Sequence, residues 1–276
     1  MTHYDVAASG LTFPEGPRWR DGKLWFSDFY SRAVYTLDAG GTLEKIVDVP
    51  GQPSGLGFMP NGDLLISSMR DQKVLRFANG ALSLHADLSA LVRYHCNDMI
   101  VLSNGRAYVG NFGFDPHSEE PRTTTLVKIE PDGSAGIVAE DMAFPNGMAT
   151  LDDERVLIVA ESVAQHLTAF DIAPDGSLSN RRVIARTPEC QPDGICIDAD
   201  GNILVTTMVC DKLVTFARDG TLLRTDGFDT HLWAVAVGGG ATWLCERPLS
   251  RSRDGRQAHR PDPAPHTALG RGNPIE

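Results

Sequence analysis

Short apolar runs recur along the chain, and a tight-turn signal precedes each of them. The runs are LWFS, LLIS, AYVG, VLIV, ILVT and TWLC, and the turn signals are RDGK, PNGD, SNGR, LDDER, ADGN and GGGA. Asn-Gly and Asp-Gly between apolar segments are strong hairpin signals because both residues tolerate positive φ. Long segments with the period of an amphipathic helix are almost absent. The pattern predicts an all-β protein built from hairpins.

The hairpins belong to a larger unit that is repeated six times. The copies begin at FPEGPRW, QPSGLGF, HCNDMIV, FPNGMAT, QPDGICI and HLWAVAV. The first five copies continue into a second and third strand, and then into a weaker fourth one such as TLEKIVDV. Four strands per unit, with a period of roughly 40 to 50 residues, are typical of a β-propeller blade. We therefore predict a single six-bladed β-propeller domain over residues 1–246.

The end of the chain departs from the repeat. Residues 247–276 are rich in Arg and Pro. No third strand is predicted there, because proline removes ladder donors and apolar alternation is missing. We predict a poorly ordered tail and an incomplete sixth blade. The N-terminal segment HYDVAASGLTF is predicted to supply the outer strand of that blade and to close the ring.

Charge and apolar patterning exclude two classes of partner. The formal net charge of -11 opposes binding to nucleic acid, whose phosphates such a surface repels. No apolar run approaches the roughly 20 residues of a membrane span, and the first residues lack the basic start and apolar core of a signal peptide.

The five cysteines form no C-x-x-C pair. We therefore predict reduced thiols and a cytoplasmic protein.

Polar residues occupy one equivalent position at the start of five of the six first strands. In chain order, this column reads Glu15, Ser54, Asn97, Asn146, Asp193 and Trp233. The first strand of a blade lines the central channel, so five oxygen-bearing side chains are expected to converge there. Such donors suit a hard divalent cation, with Ca²⁺ the first choice and Mg²⁺ or Mn²⁺ also suitable, whereas Zn²⁺ more usually recruits His or Cys.

A simpler interpretation exists for most of this column. Asn, Asp and Ser before Gly are ordinary turn residues, and the entrance to a blade is expected to be a turn. Glutamate has no special role in turns, so propensity does not explain Glu15 between two prolines. The agreement of several blades at one position favours a metal site.

Four motifs together carry a resemblance to a known family. FPEGP, CNDM, FPNGMA and QPDGICID, in this order and spacing, resemble the gluconolactonase/regucalcin family, also called the senescence-marker-protein family. The resemblance covers about residues 11–246. It implies a six-bladed propeller with one catalytic divalent metal in the channel. It also implies that Glu15, Asn146 and Asp193 are metal ligands and that Asn97 is a ligand or a substrate contact.

The resemblance also implies a reaction, the hydrolysis of sugar lactones or related small lactones. In that interpretation the metal polarises the lactone carbonyl and water attacks it. Asp193 resembles the proposed acid/base of the family. A carboxylate bound to a cation has a lowered pKa and is a weak base, so Asp193 is expected to be a ligand first. His95 and Asn97 are expected to orient the substrate.

The motifs leave the substrate open in two respects. His95 stands where sugar-lactonase members carry an arginine, and GNFGFD is apolar where those members place an acid, which favours a less hydroxylated lactone. Similar propellers of the diisopropyl-fluorophosphatase and paraoxonase type cleave organophosphates, so phosphotriesterase activity is one alternative. A non-enzymatic calcium-binding or interaction propeller is the other.

Overall fold

The computed structural model describes residues 4–248 and 267–272, and every regular element in those ranges is a β-strand. The first thirteen strands are β1 (Asp5–Leu11), β2 (Pro14–Arg20), β3 (Lys23–Asp28), β4 (Ala33–Asp38), β5 (Leu43–Asp48), β6 (Pro53–Phe58), β7 (Leu64–Ser68), β8 (Lys73–Ala78), β9 (Ala81–Asp87), β10 (Cys96–Val101), β11 (Ala107–Asn111), β12 (Thr124–Ile129) and β13 (Ala135–Met142). The remainder are β14 (Pro145–Leu151), β15 (Val156–Glu161), β16 (His166–Ile172), β17 (Leu178–Arg186), β18 (Pro192–Ile197), β19 (Ile203–Thr207), β20 (Lys212–Phe216), β21 (Leu222–Gly227), β22 (Thr230–Gly238), β23 (Ala241–Pro248) and β24 (Thr267–Gly272).

These strands form six four-stranded sheets within the described ranges. Blades one to five are β2–β5, β6–β9, β10–β13, β14–β17 and β18–β21, each in sequence order, and blade six has the order β1, β24, β23, β22. The first strands β2, β6, β10, β14, β18 and β22 contact one another in turn, and β22 contacts β2. The contacts close a ring, so the prediction of a six-bladed propeller is confirmed.

The ring is held by apolar layers between blades. In the layer that joins blade six to blade one, Trp243 packs with Leu24, Phe26 and Leu269, and none of these side chains is more than 1% exposed. Each side chain of this size, when fully buried, stabilises the fold by about 1.5–3 kcal/mol. The first and last blades, which are separate sheets, are therefore joined by an apolar core.

The sixth blade is closed by the N-terminus, as predicted. Strand β1 pairs antiparallel with β24, with Val6 opposite Gly270. The predictions that residues 247–276 contain no third strand and that the sixth blade is incomplete are wrong, because β24 lies between β23 and β1 and the blade has four strands. The residues of β24 are small and give little strand signal in the sequence. Small size matters at Gly270, where a Cβ would lie 2.6 Å from the Tyr4 ring. Residues 249–266 and 273–276 lie outside the described part, so the poorly ordered tail stays a prediction.

The prediction of five reduced thiols is also wrong. Cys190 and Cys210 form a disulfide with a Cα–Cα distance of 5.5 Å, and Cys96, Cys196 and Cys245 are free. The hairpin of β19 and β20 brings its turn beside the segment that leads into β18, a proximity that cysteine spacing does not reveal. The argument from reduced thiols therefore no longer supports a cytoplasmic location, and that location stays a prediction. No helix of the described residues is long and apolar enough to cross a membrane.

Candidate metal centre

The six positions of the column occupy one register in the six blades. The residue before each of them pairs at or near the end of its second strand, in the pairs Pro14–Asp28, Pro53–Ser68, Cys96–Asn111, Pro145–Glu161, Pro192–Thr207 and Leu232–Glu246. The structure therefore brings Glu15, Asn97, Asn146 and Asp193 to one end of the ring of first strands, and all four side chains are less than 10% exposed. In blade six the position is filled by Trp233, as the alignment predicted.

A β-bulge follows the donor position in every first strand. In blade four, Pro145 pairs with Glu161 but Met148 pairs with Val159, so one extra residue lies between the two pairs. The same shift follows the column residue in the other five blades. Bulges re-aim side chains and strengthen twist. The repeated bulge thus gives every blade the same local geometry at its donor.

The glycines that follow Asn146 and Asp193 are required by packing between blades. A Cβ at Gly147 would lie 2.4 Å from the Asp193 carbonyl oxygen, and one at Gly194 would lie 2.6 Å from the Cα of Ala234. Neighbouring first strands therefore approach backbone to backbone at these points. The donors lie inside strands rather than in turns, so the interpretation of Asn146 and Asp193 as turn residues is wrong.

Hydrogen bonds fix the orientation of the Asn146 amide. Its Nδ2 lies 3.2 Å from Ser162 Oγ, and that hydroxyl donates its one hydrogen to the Pro192 carbonyl, at 2.7 Å. Ser162 can therefore only accept from Asn146. The amide is also close enough to Asp193 to oppose the rise in the pKa of that carboxyl. Because Nδ2 is the atom that faces Ser162, Oδ1 lies on the other side of the amide and is the atom suited to bind a cation.

Asn97 has a related arrangement. Its Nδ2 donates to the Pro145 carbonyl oxygen at 3.3 Å. Because a carbonyl only accepts, the nitrogen must be the atom on that side, and Oδ1 lies on the other. Both carboxamides therefore use nitrogen for anchoring and keep oxygen for a ligand. The same bond ties blade three to blade four beside Asn146.

Three carboxylates share this buried region. Burial raises the pKa of Glu15 well above its usual range, and the nearby carboxylates of Asp193 and Asp98 raise it further. Burial and the Asp98 carboxylate raise the pKa of Asp193 in the same way. One cation, Arg18, lies 3.1 Å from Asp98 and also donates to the Met99 carbonyl. Arg18 therefore compensates Asp98 directly and opposes the rise in the pKa of Glu15 only as the last of its causes. Among the residues that the structure describes, neither Glu15 nor Asp193 forms an ion pair.

This donor set fits a hard divalent cation. Two buried carboxylates and two oriented amide oxygens supply only oxygen, which is the chemistry that Ca²⁺ and Mg²⁺ prefer. An ion of charge +2 would balance Glu15 and Asp193. Within residues 4–248 and 267–272, no three His, Cys, Asp or Glu side chains are grouped to hold a metal, so the fit depends on the amides of Asn97 and Asn146.

Sequence reasoning missed a second polar column, which holds the entrance loops in place. Asp28 ends β3 and accepts from the backbone N–H groups of Thr12, at 3.1 Å, and Phe13, at 2.5 Å. Glu161 ends β15 and accepts from the Ala143 N–H at 2.6 Å. These carboxylates fix the segments that lead to Glu15 and Asn146. A carboxylate at the end of WFSD, LIVAE and WLCE was the signal that could have found them.

His95 lies in the segment that leads to Asn97, among aromatic rings. Its ring is stacked 4.1 Å from that of Tyr94 and lies 5.9 Å from that of Phe112. Burial, and secondly the Arg70 cation, lower the pKa of His95. The imidazole is therefore neutral at pH 7 and can donate or accept a hydrogen bond. Whether it contacts a substrate stays a prediction.

The other end of the channel holds a cavity of about 530 Å³. Arg18, Met148 and Ile195 are among its lining residues, and none of the four predicted donors is. Arg18 lies between this cavity and the carboxylates through its bond to Asp98. The Arg18–Asp98 ion pair therefore separates the candidate metal centre from this cavity.

Comparison with known sequences adds a family and named relatives. Residues 13–242 match the family described as the SMP-30/Gluconolactonase/LRE-like region. A regucalcin from Gallus gallus is 25% identical over 208 residues, which cover 72% of this chain and 70% of the regucalcin. A gluconolactonase from Zymomonas mobilis is 24% identical over 257 residues, which cover 80% of this chain and 71% of that protein.

Solved structures support the same fold. A regucalcin from Agrobacterium tumefaciens, described as a calcium-binding protein, has a TM-score of 0.81 at 18% identity, covering 99% of this chain and 94% of that one. A gluconolactonase from Xanthomonas campestris has a TM-score of 0.76 at 22% identity, covering 98% of this chain and 88% of that one. At these identities the likeness concerns the fold.

Proposed function

Because the chain belongs to the SMP-30/gluconolactonase/LRE-like family, we propose that it is a metal-dependent carboxylic-ester hydrolase that opens a lactone ring. The observation that carries the proposal is the convergence of Glu15, Asn97, Asn146 and Asp193, with both amide oxygens left free, at one end of the channel. The lactonase names among the relatives support the reaction class.

The four donors are proposed to hold one divalent ion, with Ca²⁺ first and Mg²⁺, Mn²⁺ or Zn²⁺ as alternatives. Such an ion, when bound, supplies Lewis-acid stabilisation of a developing oxyanion, worth several kcal/mol. The chain supplies the rest of the site. Ser162 and the Pro145 carbonyl orient the amides, while burial excludes bulk water from the carboxylates.

Asp193 is proposed to serve as ligand and as the general base that takes a proton from the attacking water. Burial raises the pKa of its carboxyl, and the charge of a bound cation lowers it, so the two effects oppose each other. His95, neutral and placed two residues before Asn97, is proposed to hydrogen-bond the substrate. Asn97 acts as a ligand and as a further substrate contact.

The test is a chelation and reconstitution assay. The protein is stripped with a chelator and assayed on five- and six-membered lactones after addition of Ca²⁺, Mg²⁺, Mn²⁺ or Zn²⁺. We expect turnover to disappear on stripping and to return with at least one ion. Turnover that survives complete removal of metal would contradict metal dependence, and the absence of turnover on every lactone would contradict the proposed activity.

A non-catalytic calcium centre is the second candidate, because an all-oxygen donor set also suits a structural Ca²⁺. A solved structural neighbour is described as a calcium-binding protein. The two candidates differ in what the ion does. A structural ion would change the melting temperature without any lactone turnover, whereas the proposed centre changes both.

A further inference from the structure

Two aromatic walls stand at the end of the channel that carries the donors. The first consists of Phe13, Phe29, Tyr30 and Trp233, from blades one and six. The second consists of Tyr94, His95, Phe112, Phe114 and Phe144, from blades three and four. Blades one and four are opposite each other in a six-membered ring. The walls therefore flank the entrance on facing sides, and they include five of the eleven Phe residues in the chain.

Each wall contains a residue that lies close in sequence to a candidate donor. Phe13 comes two residues before Glu15, and Phe144 comes two residues before Asn146. The Phe13 ring is stacked on Trp233 with centroids 4.1 Å apart and planes 5° apart, and the indole Nε1 donates to the Pro14 carbonyl at 2.8 Å. The only polar atom of this indole is thus already engaged. The first wall presents carbon surface to the site.

The second wall presents the apolar rings of Phe112 and Phe144, and the backbone of Phe144 is strained. Phe112 and Phe144 stack with centroids 4.5 Å apart. Phe144 has a φ of 62°, a left-handed backbone that is unfavourable for a bulky residue and that persists where the surroundings impose it. Phe112 and Phe144 are nevertheless partly exposed. Their rings are fixed at the entrance without being fully covered by the protein.

Polar groups at the entrance lie between the walls and also at the second wall, where the Arg70 cation is near Tyr94 and His95. Gln52 and Gln191, the equivalent residues two positions before Ser54 and Asp193, come from blades two and five. Among the members of the second wall, His95 is the side chain whose ring nitrogens can serve a substrate hydroxyl. A polyhydroxylated lactone needs a partner for each hydroxyl that it buries, and an unmatched one costs free energy.

From this arrangement we infer that the substrate is a lactone with an apolar alkyl or aryl substituent, and that Phe112 and Phe144 determine this specificity. The inference rests on the proposed lactonase function. The lactone ring and its carbonyl would face the donors, while the substituent lies against the aromatic rings. Each methylene buried there would raise kcat/KM about three- to fourfold at most.

The test compares kcat/KM for δ-valerolactone, δ-octalactone, δ-decalactone and D-glucono-δ-lactone in the metal-loaded protein. We expect kcat/KM to rise with chain length and to be lowest for the sugar lactone. In Phe112→Ala and Phe144→Ala, the ratio of δ-decalactone to δ-valerolactone should fall at least tenfold, and Phe112→Leu should restore much of it. Leu84→Ala, which removes an exposed apolar side chain far from the entrance, should keep the wild-type ratio.

Each outcome decides a different claim. Turnover that is independent of chain length, or that favours the sugar lactone, overturns the apolar specificity and leaves the lactonase function in place. An unchanged ratio in both folded phenylalanine variants overturns their assigned role. The absence of turnover on all four lactones overturns the proposed function and the specificity with it. Circular dichroism and melting temperature establish that each variant is folded.

Discussion

The amide of Asn146 is held by the hydroxyl of Ser162, with Nδ2 and Oγ 3.2 Å apart. The same hydroxyl donates to the carbonyl of Pro192, the residue before Asp193. One buried serine therefore connects two of the proposed metal ligands on neighbouring blades. Partners of this kind usually change metal affinity about 10- to 100-fold when they are removed.

We predict that Ser162→Ala weakens binding of the divalent ion about tenfold, because the Asn146 amide loses the acceptor that directs its oxygen towards the site. Titration calorimetry with Ca²⁺ on the chelated protein measures the change. Ser134→Ala, which removes an exposed hydroxyl bonded to Asp132, is the matched control. Equal affinity in the Ser162 and Ser134 variants would contradict this role.

The backbone approach at Gly147 makes a prediction about stability. Gly147→Ala should destabilise the protein by about 1–3 kcal/mol, the usual cost of overpacking, because its Cβ would lie 2.4 Å from the Asp193 carbonyl oxygen. Urea denaturation measures the loss. At Gly136 a Cβ meets nothing within 4 Å, so Gly136→Ala is the control. Similar midpoints for the two variants would show that the strands are not in close contact.

The propeller was predictable from the sequence because each blade repeats the same turn and strand signals. The shared register of the candidate donor positions was predictable for the same reason, since six aligned copies reveal an equivalence that one copy does not. The bulge after Glu15 and its equivalents was not, because a bulge depends on pairing with the second strand. Turn propensity does not explain Gly147 either, because it is the close approach of the neighbouring blade that requires a glycine there.

Two features depended on distant parts of the chain. Strand β24 has little strand propensity of its own and is formed by pairing on both sides, with β23 and with β1. The disulfide joins residues that only the folded hairpin brings together. The role of Asp28 and Glu161 was not predicted from their position at the strand ends, because their partners are backbone N–H groups, which carry no sequence signal.

The disulfide makes a second prediction about stability. Cys190 and Cys210 are separated by 20 residues in sequence, and closing a loop of that size stabilises a protein by about 3 kcal/mol. Reductant should therefore lower the urea midpoint of the wild-type protein and leave that of Cys190→Ser/Cys210→Ser unchanged. Thiol titration of the unfolded, non-reduced chain should find three free thiols. Five thiols would contradict the bond.

In the metal-free protein, the contribution of Glu15 and Asp193 to stability should fall as pH rises. The pKa values of both carboxyls are raised above their ordinary values of 4.5 and 3.8, so these two groups bind more protons in the native state than in the unfolded state. Their contribution is greatest below those ordinary values and falls as pH rises through the raised pKa values. A bound ion needs both groups deprotonated, so its stabilising effect grows with pH.

Melting temperatures at pH 5 and pH 8, with and without Ca²⁺ at matched ionic strength, measure this coupling. We expect the increment produced by Ca²⁺ to be larger at pH 8. An increment that is equal at the two values, or larger at pH 5, would mean that Glu15 and Asp193 do not titrate with the ion.

The central claim is that four oxygen donors hold one ion on which lactone opening depends, and elemental analysis of purified protein tests it most directly. We predict about one divalent ion per chain in the wild-type protein and about a tenth of that or less in Asp193→Asn, because a ligand carboxylate is lost. Lactone turnover should fall in parallel. Asp175→Asn, which alters an exposed turn carboxylate bonded to Ser177, should keep its ion. Full metal content in Asp193→Asn would contradict the account.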